Sequence, residues 1–250
     1  LLCPADKDIN CKYLFYQLSY ADIPNTGYNR HFKWVKTLDF KIPSSDEQNH
    51  VVEVLDKATD LISLRKQQLA KLDELVKARF VELFHGQGYP VLKWKDVFDT
   101  TTGKLDSNAA VENGIYPFFT CSKEVLRIDK YAFEQKALLL AGNNAAGKYD
   151  VKYYNGKFNA YQRTYVLGLK ENWSYRLFQY QLEDKLEYLQ RQSLGGLTKY
   201  LTLKILGDLG FIIPPKDRQD EFDAFVERVD QQKQTVQQSL EKLKLMKKAL

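Results

Sequence analysis

The sequence has few of the features that mark secreted, zinc-binding or membrane proteins. Its three cysteines, Cys3, Cys11 and Cys121, are scattered and show no CxxC spacing, so we predict neither a disulfide framework nor a zinc site. No run of about 18 apolar residues is present, which predicts that the chain does not enter a membrane. We therefore expect a cytoplasmic protein. The chain begins at Leu1 without an initiator Met, and we expect a fragment or a processed chain.

Signals of catalysis are also sparse. Residues 142–148, Gly-Asn-Asn-Ala-Ala-Gly-Lys, match the GxxxxGK pattern of a phosphate-binding loop. Such a loop needs a Ser or Thr next and a helix behind it, whereas Tyr149 follows and residues 151–154 have the pattern of a strand. We therefore predict a Gly-rich loop that carries two amides and a lysine, and a phosphate-loop nucleotide-binding protein is the less favoured alternative.

Metal and methyl-transfer motifs are missing as well. The three histidines, His31, His50 and His85, are dispersed, so the sequence predicts no metal site. The segment Ile212–Pro215 lacks the Asn or Asp of an adenine methyltransferase motif. We predict no catalysis, no metal and no cofactor in this chain.

An internal repeat organises the chain. A shift of 171 positions places Ile42-Pro43 on Ile213-Pro214 and Gln48 on Gln219, and both copies precede a long amphipathic segment. Upstream, Tyr16-Gln17-Leu18 recurs as Tyr180-Gln181-Leu182. The alternative, two unrelated amphipathic helices that share leucines, does not account for the common Ile-Pro-x-x-Asp-x-Gln entry. The predicted divisions are 1–43 (the end of one repeat unit), 44–85 (a long helix), 86–215 (a middle domain) and 216–250 (a second long helix).

The two long helices have the pattern of a coiled coil. Ser44 and Glu47 fit a capping box at the start of the first helix, and the apolar positions keep a helical period from there. A helix of about 40 residues spans roughly 60 Å, and we expect two such helices to pair antiparallel. The alternative is that each helix packs on its own domain. The predicted coiled-coil core is Leu55, Ile62, Leu69, Leu72, Val76, Val229, Val236, Leu240 and Leu243.

The middle domain has the pattern of a sheet. Between residues 89 and 167, short apolar runs alternate with glycine and asparagine turns, which predicts a twisted and mostly antiparallel sheet. Asn155-Gly156 predicts a hairpin turn, and Tyr175 to Gln192 resumes a helical period. The predicted fold class is α+β, with a β-rich domain and two long helices that form an antiparallel coiled coil.

Charge differs between these parts. Residues 88–200 carry 16 Lys and Arg against 12 Asp and Glu, whereas the first long helix carries 6 against 8. This distribution is expected if the sheet domain meets phosphates and the helix meets protein.

These features together resemble the specificity subunits of type I restriction–modification systems. The resemblance rests on two segments, Lys41–Gln48 and Ile212–Gln219, each followed by its long helix. Further segments look like the target recognition domains of that family: Gly103-Lys104, Gly114-Ile115-Tyr116-Pro117-Phe118, Leu140–Gly147 and Gly156-Lys157-Phe158.

The resemblance implies two target recognition domains separated by an antiparallel helix pair, each domain reading half of a bipartite double-stranded DNA site. DNA methyltransferase subunits would dock on the helices, and restriction (translocase) subunits would join them in the bacterial or archaeal cytoplasm. S-adenosylmethionine, ATP and Mg would belong to these partner subunits. The chain departs from the family in size. Residues 86–215 would be one recognition domain and residues 1–43 the remnant of another, so we expect a truncated or rearranged subunit, or a half-length form that pairs with another chain, either a second copy or another half-subunit.

Three loops and one strand offer groups that could contact DNA phosphates and base edges. In the strand, Gln162 could pair with an adenine and Arg163 with a guanine. The predicted DNA-binding residues are Thr101, Thr102, Lys104, Thr120, Ser122, Lys123, Asn143, Asn144, Lys148, Tyr161, Gln162 and Arg163. The alternative for each is an ordinary solvated position, because Thr and Asn also suit turns. The alternative for the whole chain is a coiled-coil scaffold or adhesion module whose β domain binds protein or glycan.

Overall fold

The structure is a computed structural model that describes residues 4, 6–24, 27, 32–145 and 147–249. The chain divides into two compact units. We call residues 1–75 with 229–250 the helical unit, and residues 76–228 the sheet unit. Cys11 and Cys121 are free thiols, while Cys3 and His31 lie outside the described residues. Within the described ranges, none of the helices combines the length and apolar character needed to cross a membrane.

Helices build the helical unit. They are α1 (Cys11–Tyr20), α2 (Phe32–Val35), most of α3 (Ser45–Phe84) and the C-terminal part of α8 (Lys216–Ala249). The predicted capping box at the start of α3 is confirmed, because the Ser44 N–H donates to Glu47 Oε2 at 3.1 Å and the Glu47 N–H donates to Ser44 Oγ at 3.4 Å. These bonds satisfy two backbone donors that the first turn of a helix leaves unpaired.

The two long helices run antiparallel within the helical unit. Lys233 of α8 forms an ion pair with Asp73 of α3 at 2.5 Å. Further along α8, the Lys247 ammonium lies 5.4 Å from the ring centre of Tyr16 and helps, after Lys12 and Tyr16, to lower the pKa of Asp56. The contacts of α8 therefore lie closer to the start of α3 as α8 approaches its C-terminus, as in an antiparallel pair. The predicted core residues of this unit are buried (Leu55, Leu72, Val229, Val236 and Leu240) or half-buried (Ile62, Leu69 and Leu243).

The sheet unit begins with the end of α3, where the predicted core residue Val76 is also buried. Its short helices are α4 (Trp94–Val97), α5 (Tyr175–Asp184), α6 (Leu186–Gln192) and α7 (Leu203–Gly207), with a 3-10 turn at Ser107–Ala109. Its strands are β1 (Val91–Lys93), β2 (Phe98–Thr102), β3 (Tyr116–Phe119), β4 (Leu126–Ile128), β5 (Phe133–Ala141), β6 (Asn143–Asn144), β7 (Val151–Ala160), β8 (Thr164–Leu169), β9 (Lys199–Tyr200) and β10 (Gly210–Ile212).

Six of these strands form one sheet in the order β2-β8-β5-β7-β3-β4. Every neighbouring pair is antiparallel except β3 and β7, which are parallel. Two smaller sheets pair β1 with β10 and β6 with β9, both antiparallel. The predicted α+β class, with a mostly antiparallel sheet and two long helices, is confirmed.

Strand β5 lies inside the sheet, and its second half, Ala137–Ala141, is buried on both faces. Leu138 and Leu140 pack in a core with Phe178 and Leu182 of α5, whereas Leu139 packs in a second core on the opposite face, with Phe119, Phe158 and Val166. A continuous apolar run, Ala137–Ala141, is what a strand covered on both faces requires.

The sheet is strongly coiled, as the connection from β7 to β8 shows. Phe158, near the end of β7, pairs with Phe133 at one end of β5, and Thr164, at the start of β8, pairs with Ala141 at the other end. A flat strand of nine residues would hold those ends about 26 Å apart. The six steps from Phe158 to Thr164 span at most about 22 Å, although these residues lie on opposite sides of β5. The sheet must therefore coil so that the end of β7 comes close to the start of β8.

The predicted hairpin turn at Asn155-Gly156 is wrong. Both residues lie inside β7, where Asn155 pairs with Lys136 and Gly156 with Gln135 without a break in register. Gly156 has a φ of 139°, which glycine adopts without steric cost. Gly156 therefore lies within a continuous strand, and β5 and β7 are joined instead by the segment that contains β6.

Each repeat of the Ile-Pro-x-x-x-x-Gln segment builds the same junction. In the sheet unit, the buried Gln219 side chain donates from Nε2 to the Pro214 carbonyl at 2.8 Å and accepts the Ser174 N–H at 2.9 Å. Ser174 is the N-cap of α5. One side chain thereby joins the entry of a long helix to the start of a second helix.

The helical unit repeats this junction with its own residues. Gln48 donates to the Pro43 carbonyl at 2.9 Å and accepts the N–H of Asn10, the N-cap of α1, at 2.8 Å. A second glutamine recurs as well, because Gln17 Nε2 donates to the Lys41 carbonyl at 2.9 Å and Gln181 Nε2 donates to the Ile212 carbonyl at 3.1 Å. Lys41 and Ile212 are themselves related by the shift of 171 positions. The internal repeat is therefore structural as well as sequential.

Replacing Gln219 by leucine tests this junction. The variant leaves the Ser174 N–H and the Pro214 carbonyl buried and unpaired, so we expect the free energy of unfolding to fall by about 2 kcal/mol, within the usual range of about 1–3 kcal/mol. Urea unfolding measures the loss. The control is Gln237→Leu, because Gln237 is exposed and bonds only to Glu241 one turn along α8. Equal losses in both variants would contradict the assigned role of Gln219.

Candidate nucleic-acid interface

The four predicted DNA-contacting segments meet at one edge of the coiled sheet. The turn at residues 161–163 joins β7 to β8 and bonds to each of the other three. The Tyr161 N–H donates to the Phe119 carbonyl and the Gln162 N–H to the Leu105 carbonyl, both at 2.9 Å. The Arg163 carbonyl accepts the Gly142 N–H at 2.8 Å and the Cys121 thiol at 3.4 Å. We call residues 101–106, 120–123, 142–145 with 147–148, and 161–163 the loop edge.

The first segment starts in a strand and not in a loop, which corrects the prediction for Thr101 and Thr102. Both end β2, where they pair with Val166 and Tyr165 of β8, because β-branched side chains suit a strand. Thr101 is exposed and Thr102 half-buried, while Lys104, beyond the strand, is exposed.

Gly103 explains why the first segment can lie so close to the 161–163 turn. A Cβ atom at this position would lie 1.8 Å from the Ala160 carbonyl oxygen, so any larger residue would push the two backbones apart. This glycine therefore permits the contact on which the loop edge depends.

The second segment is a true loop after β3. Thr120 is buried and its Oγ1 accepts the Ser122 N–H at 3.2 Å, so its hydroxyl shapes the loop. Ser122 and Lys123 are exposed. The Ser122 carbonyl accepts a bond from Lys152 Nζ at 3.0 Å, which ties the loop to β7. Of the three predicted residues, Ser122 and Lys123 are available to a ligand.

The third segment is also more ordered than predicted. Asn143 and Asn144 form β6, which pairs with Tyr200 and Lys199 of β9, and both asparagines are half-buried. Asn144 Oδ1 accepts the Lys148 N–H at 3.4 Å. The Lys148 side chain is exposed.

The strand β7, and not a helix, follows this segment. A phosphate-binding loop depends on the N–H groups at the start of a helix, so residues 142–145 and 147–148 lack the main feature of a nucleotide site. Ala146 lies outside the described residues.

The fourth segment, predicted as a strand, is a turn. The Thr164 N–H donates to the Tyr161 carbonyl at 2.8 Å, which closes residues 161–163 into a tight connection. Tyr161 is half-buried, whereas Gln162 and Arg163 are exposed. Gln162 Nε2 lies 3.4 Å from Asp106 Oδ2, a long hydrogen bond that a ligand could replace.

Sequence reasoning missed a fifth element of this edge. Residues 194–200 form a small hairpin whose second arm is β9, the partner of β6. The signal was the Gly195-Gly196 pair, which is typical of tight turns. It lies between the predicted helical segments 175–192 and 216–250, so the sequence did not indicate strands on either side of it.

Exposed cations and neutral hydrogen-bonding groups dominate the loop edge. Lys104, Lys123, Lys148 and Arg163 are exposed there, against the carboxylate of Asp106. Such an edge can neutralise phosphates and present an amide and a guanidinium to a groove. In the part of the chain that the structure describes, no group of three or more His, Cys, Asp or Glu side chains converges as a metal site.

Comparisons with known proteins identify the family. The type I restriction enzyme EcoDI specificity subunit of Escherichia coli is 34% identical over a region that covers 63% of this chain. This chain spans 36% of that relative, about one third of its length. The crystal structure of the type I restriction–modification S subunit from M. genitalium has a TM-score of 0.65 at 14% identity, over 97% of this chain and 71% of that one.

A second solved structure comes from work titled as the structural basis of complex assembly and conformational transition of the type I R-M system. It has a TM-score of 0.56 at 16% identity, over 95% of this chain and 69% of that one. At such low identity both structures support the fold alone. The family model described as the type I restriction modification DNA specificity domain matches residues 87–245, more than half of the chain. The chain belongs to the type I restriction modification DNA specificity domain family.

Proposed function

We propose that this chain is a non-catalytic DNA-recognition subunit of a type I restriction–modification complex, and that its loop edge reads half of a bipartite site. The observation that carries the proposal is the convergence of three sequence-distant segments on a fourth, the 161–163 turn, with the cations of these segments exposed. The family assignment gives no support to an adhesion scaffold or to a phosphate-loop nucleotide-binding protein.

The exposed residues divide by the chemistry that they offer to DNA. Lys104, Lys123 and Lys148 are point charges suited to phosphates, which set affinity and position but carry no sequence information. Gln162 can bond the N6 and N7 edge of adenine, and Arg163 the O6 and N7 edge of guanine. These two residues occupy the tight turn at the centre of the loop edge, where the backbone bonds to Phe119, Leu105 and Gly142 hold it.

The remaining predicted residues support the interface from behind. Thr120 and Asn144 use their side chains to bond backbone N–H groups of their own loops. Thr102, Asn143 and Tyr161 are half-buried. We assign them to shaping the edge, whereas Thr101 and Ser122, which are exposed, can reach a phosphate or a base.

The long helices offer a docking surface for methyltransferase subunits. Leu61, Leu64 and Leu75 are 45%, 57% and 46% exposed. At about 100° per residue they fall within an arc of about 60° on α3. These leucines form an exposed stripe that is interrupted by Gln68 and Lys71 between Leu64 and Leu75, and exposed apolar residues with polar neighbours are typical of a protein interaction site. We propose that methyltransferase subunits cover this surface and that restriction subunits join the complex through them. S-adenosylmethionine, ATP and Mg would be bound by these partner subunits and not by this chain. The compartment would be the cytoplasm, where the DNA of bacteria and archaea lies.

Substitutions at Arg163 and Lys148 test the proposed interface. If Arg163 contacts a base, Arg163→Ala should cost about 1–3 kcal/mol of binding and relax specificity at one position of the site. Lys148→Ala should weaken binding to every sequence alike and reduce the salt slope by about one. Affinity for the target and for mixed DNA, measured over a range of salt concentrations, separates the two.

The target sequence for these measurements is obtained by co-expression with a methyltransferase subunit of the family, followed by sequencing of methylated adenines.

The control for Arg163→Ala and Lys148→Ala is Lys233→Ala, because Lys233 pairs with Asp73 in the helical unit and lies outside the loop edge. Small and equal effects of Arg163→Ala and Lys148→Ala would remove both residues from the interface.

Loss of the leucine stripe should separate partner binding from DNA binding. We expect Leu61→Ser with Leu64→Ser to weaken binding of a purified methyltransferase subunit at least tenfold, because burial of two leucines contributes about 3–6 kcal/mol at most. DNA affinity of the isolated chain should not change. Val81→Ser is the matched control, since Val81 is 53% exposed on the same helix but about 120° around from Leu75. Undiminished partner binding in the double variant would exclude this surface.

A further inference from the structure

A leucine stands almost fully exposed at the tip of the hairpin that adjoins the loop edge. Leu197 is 96% exposed, the highest value among the exposed large apolar side chains of the described residues. A single exposed leucine in a mobile loop is common on protein surfaces. Whether Leu197 has a function therefore depends on how firmly its hairpin is held and on which charged groups surround it.

The hairpin that carries Leu197 is closed tightly. The Leu194 N–H donates to the Tyr200 carbonyl at 3.0 Å, and the Tyr200 N–H donates to the Leu194 carbonyl at 2.9 Å. Gly195 has a φ of 101°, and a Cβ atom there would lie 2.2 Å from the Thr198 carbonyl oxygen. The turn therefore requires glycine, and Leu197 is held outward by a defined backbone.

The base of the hairpin is bonded to the loop edge. Its second arm, Lys199 and Tyr200, pairs with Asn144 and Asn143. The next N–H, that of Leu201, donates to the Gly142 carbonyl at 2.8 Å, and Gly142 in turn donates its own N–H to the Arg163 carbonyl. One residue thus separates the hairpin base from the 161–163 turn. Leu201 is buried in the main core, which fixes the hairpin to the sheet unit.

The segment around the hairpin has the charge of a surface that meets phosphates. Residues 188–207 contain Arg191, Lys199 and Lys204 and no Asp or Glu. Lys199 also lies beside the exposed Lys148, because its Cγ is 3.4 Å from the position of a Cβ on Gly147. An apolar tip flanked by cations suits a polyanion that displays an apolar group, and the thymine methyl is the apolar group in the major groove of DNA.

We propose that this hairpin enters the major groove and that Leu197 contacts the 5-methyl group of a thymine in the recognised half-site. The major groove admits a two-stranded ribbon of this kind. This inference rests on the proposed function, because it assigns one base contact within the DNA interface and needs that interface to exist.

Deoxyuridine replaces thymidine with the loss of one methyl group and therefore isolates this contact. Each thymidine of the recognised half-site, on either strand, is replaced in turn, and binding of the full chain is measured for the wild type and for Leu197→Ala. For the wild type we expect a loss of about 3- to 10-fold at one position. For Leu197→Ala we expect a similar loss on thymidine DNA and no further loss with deoxyuridine at that position. Leu203→Ala, a change at a leucine that is 58% exposed, should keep the wild-type response.

Several outcomes would overturn the proposal, and each differs from failure of the proposed function. Normal binding by Leu197→Ala, a retained response of this variant to deoxyuridine, or equal weakening of its binding to all DNA would each show that no thymine methyl is contacted. A variant that binds DNA normally but loses the methyltransferase subunit would assign Leu197 to a protein interface. If the wild type shows no salt-dependent DNA binding at all, the proposed function itself fails. The melting temperature of Leu197→Ala should match the wild type, since the side chain is exposed.

Discussion

A buried glutamine in the first turn of each long helix joins the entry of that helix to the start of a second helix. Gln219 holds the carbonyl of Pro214 and the N–H of Ser174 at once, and Gln48 does the same for Pro43 and Asn10. A buried side chain that must both donate and accept cannot be replaced by an apolar one without leaving two unpaired groups, and a carboxylate offers no donor when it is ionised. In the sheet unit, this bond sets the start of α8 against α5, whose Phe178 and Leu182 pack on the central strand β5.

The same junction shows how the two repeats differ. The shift that relates Gln17 to Gln181 also relates Leu14 to Phe178 and Leu18 to Leu182. Phe178 and Leu182 are fully buried, whereas Leu14 and Leu18 are only half-buried. Helix α1 therefore keeps the polar junction of α5 but leaves partly open the face that α5 packs on a sheet. The interpretation of residues 1–43 as the end of a first recognition domain stays a prediction.

Features set by local chemistry could be predicted from the sequence, and features set by curvature could not. The capping box at Ser44, the helical period of both long helices and the doubly buried run Ala137–Ala141 each follow from patterns within a few turns or one strand. Asn155-Gly156 has the composition of a hairpin turn, yet it lies inside β7 because pairing with β5 extends the strand through it. The short turn at 161–163 likewise depends on coiling of the whole sheet, which no local pattern encodes, so the sequence predicted a strand there.

The bonds that assemble the loop edge are largely made by the backbone. Tyr161 to Phe119, Gln162 to Leu105, and Gly142 to Arg163 are all N–H to carbonyl contacts. The side chain of Gln162 adds only one long hydrogen bond, of 3.4 Å, to Asp106. Gly103 is a residue of the loop edge whose identity this geometry requires, because a Cβ atom there would collide with the Ala160 carbonyl oxygen. In the loop edge, backbone bonds set most of the geometry, whereas exposed side chains supply the charges and hydrogen-bonding groups. Substitutions at exposed residues of the turn and loops should therefore leave the coiled sheet beneath undisturbed, and under the proposed function such substitutions would change base preference while the fold stays constant.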